Sequence, residues 1–192
     1  MFYKLAAFIA RIVFFRHRTR SPFPLPQGGA IIAPNHTSFL DPLLISISLP
    51  EKVVFFARAS LFKGPLGAIL RSVNTYPIKR GKGDLGAIKQ ILAFLKEGKK
   101  VVLFPEGTRS PDGQLLPLQP GVALLAIKAQ VPLIPIRIDG SFEAYPKHRK
   151  LPNPLKKTSC TLLKPLTPQS YPSQQALLNA LEKALTPPCS TF

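Results

Sequence analysis

Cysteine is nearly absent from this 192-residue chain: Cys160 and Cys189 are the only two. Two thiols exclude a disulfide framework and a cysteine-rich metal site, and a reducing cytosol is the simplest setting. Histidine is almost as scarce, with three in all. A metal hydrolase built on His36, Asp41 and Glu106 would lack further ligands, because His17 and His148 stand in basic segments. Acidic residues are few as well: nine Asp and Glu against 26 Lys and Arg, a formal net charge of +17. That excess suits polyanions such as nucleic acid, anionic lipid or phosphorylated substrates. No zinc-finger spacing, RNP-like aromatic motif or basic heptad zipper accompanies it. A basic nucleic-acid-binding module therefore explains the charge and nothing else. The positive residues are spread over several segments, with one denser cluster at 147–157.

No apolar run is long enough to cross a bilayer. Residues 2–15 are almost wholly apolar, but as a helix they span about 21 Å, against a hydrocarbon core of roughly 30 Å. Lys4, Arg11 and Arg18 recur at intervals of seven, which on a helix aligns them in one stripe. Arg11 interrupts the run and no small-residue cleavage site follows, against a secretory signal. The pattern predicts an interfacial membrane-anchoring helix over 1–20, its basic stripe toward anionic head groups. Residues 21–29 then form a proline- and glycine-rich linker, and 30–192 one domain with chain enough for a substantial core.

Proline, by contrast, is abundant. There are 22, about twice the usual share of roughly 5%, clustered at 22–26 and from 146 onward. Between those clusters apolar runs alternate with helical patterns. Strands are expected at 30–33, 53–56, 75–78, 101–104, 131–138 and 158–163. Pro132 and Pro135 place the fifth of these at an edge or a bulge, since each lacks a ladder donor. Helices are expected at 42–49, 60–71, 84–97, 121–128 and 174–185. In the third, Asp84 caps an apolar face of Leu85, Ile88, Ile91, Leu92 and Leu95, and Gly98 ends it. The alternation predicts a single α/β domain with a mixed sheet flanked by helices.

Polar residues gather where strands end. Ala33-Pro34-Asn35-His36-Thr37-Ser38-Phe39-Leu40-Asp41-Pro42 sets a histidine and a carboxylate five positions apart. On a regular helix that is about 140° around the axis, so the two meet only if the segment between them is not helical. Pro42 disfavours α conformation at Asp41, which then reads either as the N-cap of the next helix or as the partner that orients His36. Lys79-Arg80-Gly81-Lys82-Gly83-Asp84 follows a short strand and opens a helix, an arrangement suited to phosphate. Pro105-Glu106-Gly107-Thr108-Arg109 follows another, with a glycine for a tight turn and a planar guanidinium fork.

Taken together, Asn35-His36 through Asp41, residues 77–80, Phe104-Pro105-Glu106-Gly107-Thr108-Arg109 and Val131-Pro132-Leu133-Ile134-Pro135 resemble the four sequence blocks of the glycerolipid acyltransferases, particularly the lysophosphatidate (1-acylglycerol-3-phosphate) acyltransferases. The resemblance covers roughly 30–142. It implies that His36 is the general base and Asp41 its orienter. It implies also that Arg80, Glu106, Gly107, Thr108 and Arg109 hold the phosphorylated glycerol acceptor. No metal or resident cofactor is implied. The partners are lysophosphatidate, an acyl thioester on CoA or acyl carrier protein, and a membrane lipid surface, not nucleic acid. The expected place is the cytoplasmic face of the cell membrane, peripheral or monotopic. Glycerol 3-phosphate or another lysophospholipid as acceptor fits the same blocks. The chain departs from the pattern at Asn74, where a glycine is usual, and at Leu118-Gln119-Pro120-Gly121, which lacks the lysine often found before that glycine. Asparagine tolerates positive φ, so the turn at 74 is expected to survive.

Overall fold

The computed structural model describes residues 16–72, 74–78, 84–149, 151–153 and 156–186. One sheet contains β1 (Arg18–Arg20), β2 (Ala30–Pro34), β3 (Val53–Arg58), β4 (Thr75–Ile78), β5 (Lys100–Val102), β6 (Leu133–Asp139) and β7 (Ser159–Leu162), in the order β1-β7-β6-β2-β5-β3-β4. Strands β6, β2, β5, β3 and β4 are mutually parallel. β7 runs antiparallel to β6 and parallel to β1, so the sheet is mixed, as expected. The helices are α1 (Asp41–Ser48), α2 (Gly64–Ser72), α3 (Leu85–Lys96), α4 (Gly121–Ala129), α5 (Ser141–Ala144) and α6 (Gln174–Leu185).

Successive side chains of a strand point to opposite faces, and β2 divides the core accordingly. Ile31 and Ala33 pack with the apolar stripes of α3, α4 and α6. Ala30 and Ile32 pack on the other face with Leu44 and Ile45 of α1. Because both faces are covered, β2 and β5 are buried throughout, and β2 with Val101 and Val102 of β5 read in sequence as apolar runs without alternation. Cys160 of β7 is wholly buried, and burial pushes its thiol up to about 12, which removes it as a nucleophile.

Two expectations need correction, and of the edge and the bulge expected for β6 the bulge holds. β6 is interior, between β7 and β2, so its prolines do not mark an edge. Pro132 precedes the strand, and Pro135 sits where the partner chain bulges. Ile136 pairs with Leu162 and Leu133 with Leu166, one residue more on the partner side. There Pro135 needs only its carbonyl, which accepts from Leu163 N at 3.0 Å. Leu85 is 69% exposed and leaves the apolar face of α3 to Ile91, Phe94 and Leu95. Most of the expected amphipathic helix, 1–15, lies outside the described residues, but its last turn is a strand. His17 Nε2 lies 2.7 Å from Ser48 Oγ, and Thr19 Oγ1 donates to the same oxygen at 3.1 Å. Positions 17 and 19 share a face only in an extended chain.

Asn74 keeps the turn into β4. Its φ is +60°, and its side-chain amide donates to Val53 O at 2.9 Å. Asn74→Ala adds left-handed strain and removes that bond, and is expected to cost about 2 kcal/mol. Asn74→Gly loses only the bond and costs about 1 kcal/mol. Urea unfolding midpoints of the two variants measure the difference.

Candidate active site

The strand order decides which loops meet. β2, β5 and β3 are neighbours and parallel, so the segments leaving their carboxyl ends lie side by side. Open α/β sheets bind ligands at that end. Here it brings together His36 after β2, Glu106 to Arg109 after β5, and Arg58 at the last position of β3. Arg80 and its neighbours at 79–83 lie outside the described residues.

The histidine and the carboxylate do meet: His36 Nδ1 is 2.8 Å from Asp41 Oδ2. The same oxygen accepts the backbone N–H groups of Thr37 and Ser38, each at 2.8 Å. The helix cap falls on Leu40 and makes no side-chain bond, so Asp41 is the first helical residue and not the N-cap. Its carboxylate turns back into the loop and folds 36–41 around itself. Asp41 is wholly buried, at the positive end of α1. The His36 ring stacks on Phe104, centroids 3.8 Å apart. A carboxylate only accepts, so the neutral ring carries its proton on Nδ1 and leaves a lone pair on Nε2. No hydrogen-bond partner for Nε2 is found among the described residues.

The main chain of His36 is held as firmly as its ring. Its N–H donates to Glu106 Oε1 at 2.6 Å, and its carbonyl accepts from Ser110 N at 2.8 Å. Glu106 Oε2 accepts from Leu116 N at 2.9 Å. Glu106 is thus buried inside the turn, with both oxygens occupied by backbone. Burial, reinforced by the Asp41 charge, pushes its carboxyl up to about 7 against the two backbone donors that favour the ion. Gly107 has φ +69°, and its N–H closes the turn on Phe104 O at 3.0 Å. Thr108 is exposed.

Arg109 lies over the Phe39 ring, guanidinium carbon 3.4 Å from the centroid. Its Nη1 is buried and has no hydrogen-bond partner among the described residues. Burial lowers its pKa, the Asp41 charge opposes that, and Arg58 adds to it. Arg58 was not singled out in the sequence, although a charge closing the apolar run 53–57 at a strand end is the signal that marks it. Asn35 has a structural task. Its side chain donates to Ile138 O at 3.0 Å and accepts from Ile138 N at 2.7 Å, extending the β2–β6 ladder beyond Pro34. A cavity of about 360 Å³ opens on the β6 side, lined by Thr37, Asp112, Arg137, Asp139 and Glu143 among others; the His36 ring is not part of its wall.

The family model described as Acyltransferase matches residues 15–139. The chain is 34% identical over 145 residues to human 1-acyl-sn-glycerol-3-phosphate acyltransferase beta, covering 70% of this chain and 50% of that one. It is 30% identical over 116 residues to the 1-acyl-sn-glycerol-3-phosphate acyltransferase of Bacillus subtilis (strain 168), covering 59% and 57%. The crystal structure of the 1-acyl-sn-glycerophosphate (LPA) acyltransferase PlsC from Thermotoga maritima superposes with a TM-score of 0.75 at 26% identity, covering 96% of this chain and 73% of that one. The chain spans about half the length of the curated relatives it matches.

The raised carboxyl of Glu106 makes stability depend on pH in a defined sense. The folded protein holds this proton more tightly than the unfolded chain, so the native state is favoured below about 4.5 and loses that advantage as pH rises to about 7. The span corresponds to on the order of 3 kcal/mol. Urea unfolding at pH 5 and pH 8 is expected to show that decline in the wild type and a smaller one in Glu106→Gln.

Proposed function

Because this chain belongs to the acyltransferase family, we propose that it moves a fatty acyl group from an acyl thioester to the sn-2 hydroxyl of 1-acylglycerol 3-phosphate, making phosphatidate in phospholipid biosynthesis. The observation that carries the reading is the 2.8 Å contact of His36 Nδ1 with Asp41 Oδ2, which leaves Nε2 as a base at a strand end. The acceptor hydroxyl gives its proton to Nε2 as its oxygen bonds to the thioester carbonyl carbon. The carbon–sulfur bond then breaks, and the proton passes from Nε2 to the departing thiolate. Asp41 balances the imidazolium formed between these steps. A thioester is already activated, and the thiolate leaves readily, so no covalent acyl-enzyme is needed.

Arg109 is the natural partner of the acceptor phosphate. A buried, unpaired guanidinium N–H costs about 1–3 kcal/mol, and a phosphate oxygen would satisfy it. Arg58 adds a second positive charge at the same strand ends, and Gly107 leaves the backbone open beside the exposed Thr108. Arg80 joins this group on the family's pattern. Glu106 serves by position: it holds the main chain of His36 against the turn that carries Arg109. The donor is acyl-CoA or acyl-acyl carrier protein, both polyanions suited to a chain of charge +17. No helix among the described residues is long and apolar enough to cross a membrane. The enzyme works on lipid from the cytoplasmic face, as a peripheral or monotopic protein.

With lysophosphatidate and either donor, His36→Ala is expected to lose at least 10²- to 10⁴-fold in turnover with unchanged circular dichroism. Retained activity removes His36 as the base. Arg109→Ala is expected chiefly to raise KM for the phosphorylated acceptor, and an effect confined to the donor reverses that assignment. A panel of glycerol 3-phosphate and lysophospholipids, crossed with both donors, fixes the substrate pair.

A further inference from the structure

The basic cluster at 147–157 has no part in the chemistry above, and its place in the fold gives it another use. It lies in the segment between α5 and β7. Because Asp139 pairs with Ser159, that segment leaves and re-enters the sheet at the carboxyl end of β6. It therefore shares the end of the molecule that carries His36 and Arg109. The attachment is direct: Ser38 Oγ donates to Tyr145 O at 2.7 Å, Ser38 bridges to Pro146, and the Phe39 and Tyr145 rings are 5.3 Å apart.

Exposed apolar side chains are normally scattered over a protein surface. Here they are not. Among the described residues the four most exposed large ones are Leu151 (77%), Leu85 (69%), Phe39 (51%) and Leu61 (43%). Each follows the carboxyl end of a parallel strand, respectively β6, β4, β2 and β3. Around Leu151, the side chains of Lys147, Arg149, Lys156 and Lys157 are exposed, and none forms an ion pair among the described residues. The acidic groups near this segment, Asp112, Asp139 and Glu143, line the cavity beside Thr37. The projecting surface thus combines apolar tips with unpaired cations.

We propose that this face docks on an anionic lipid bilayer, with Leu151 in the head-group region, the four basic residues against lipid phosphates and the rim around His36 turned toward the membrane. An acidic protein would answer the charges, but apolar tips spread over four strand ends fit a partner that is apolar beneath an anionic surface. The inference extends the acyl-transfer reading, on which it rests only for choosing lipid as the partner. It places a membrane contact within the folded domain.

The chain contains no tryptophan, so Leu151→Trp in the full chain creates a single local reporter. Its emission is expected to shift to the blue with vesicles containing phosphatidylglycerol and to be quenched when the lipids carry brominated acyl chains. Leu124→Trp, at an exposed position of α4, is expected to stay water-like. Lys156→Gln with Lys157→Gln is expected to weaken partition onto the anionic vesicles by about twenty-five-fold, taking about fivefold per basic residue near the surface. An unshifted Leu151→Trp emission, or a shift produced by acyl carrier protein and not by vesicles, overturns the docking surface and leaves the acyl-transfer proposal standing. Loss of turnover in detergent micelles by the wild type, with vesicle-induced shifts intact, overturns the reaction and leaves the surface.

Discussion

One carboxylate oxygen organises the candidate site. Asp41 Oδ2 gathers the His36 ring and the main-chain N–H groups of Thr37 and Ser38. A loop that would otherwise expose three donors is instead folded around a buried charge, and that charge sits on the first turn of α1, where the helix dipole favours it. The histidine cannot be oriented without bending the chain this way, and the chain has little reason to bend this way without the carboxylate. Everything nearby leans on the result. Glu106 grips the main chain of His36 from one side, Ser110 from another, and Phe104 supports the ring.

Parallel pairing supplies the neighbours. Since β2 and β5 are adjacent, residues 70 positions apart come within hydrogen-bond distance without any long-range search by the loops themselves. Two carboxylates, those of Asp41 and Glu106, thereby flank one histidine and perform different work. Asp41 meets the ring with three donors on one oxygen. Glu106 meets only backbone, is pushed toward neutrality by burial, and fixes the distance between two loops.

Much of the architecture was legible because strands and helices announce themselves by period. β2, β3, β4, α1, α3, α4 and α6 fall close to where alternation, caps and glycines put them. The meeting of His36 and Asp41 was legible only as one of two options, because a five-residue separation has no geometry until the intervening turn is known. Other features escaped for physical reasons. The prolines of β6 left edge and bulge undecided, and a bulge in its partner absorbs the missing donor of Pro135 and keeps the strand interior. The exposure of Leu85 was hidden because helical period gives a residue's face and not where along the helix burial begins, which here is after the first turn. The inward engagement of Glu106 depends on Leu116, ten residues on, and no local pattern encodes that contact. Arg58 became visible as a neighbour of Arg109 only once β3 and β5 were seen side by side.

The Asn35 clamp has a consequence for how the molecule ages. Its side-chain amide stands in for a peptide group, giving and receiving one bond each with Ile138, so the His36 loop departs from a fully bonded ladder. Side-chain amides are among the less durable groups in proteins. Hydrolysis of this one would exchange a donor for a second acceptor facing the Ile138 carbonyl, and the repulsion would fall one residue before the histidine. Chemical wear would then reach His36 through its footing, with its ring and the Asp41 carboxylate still intact.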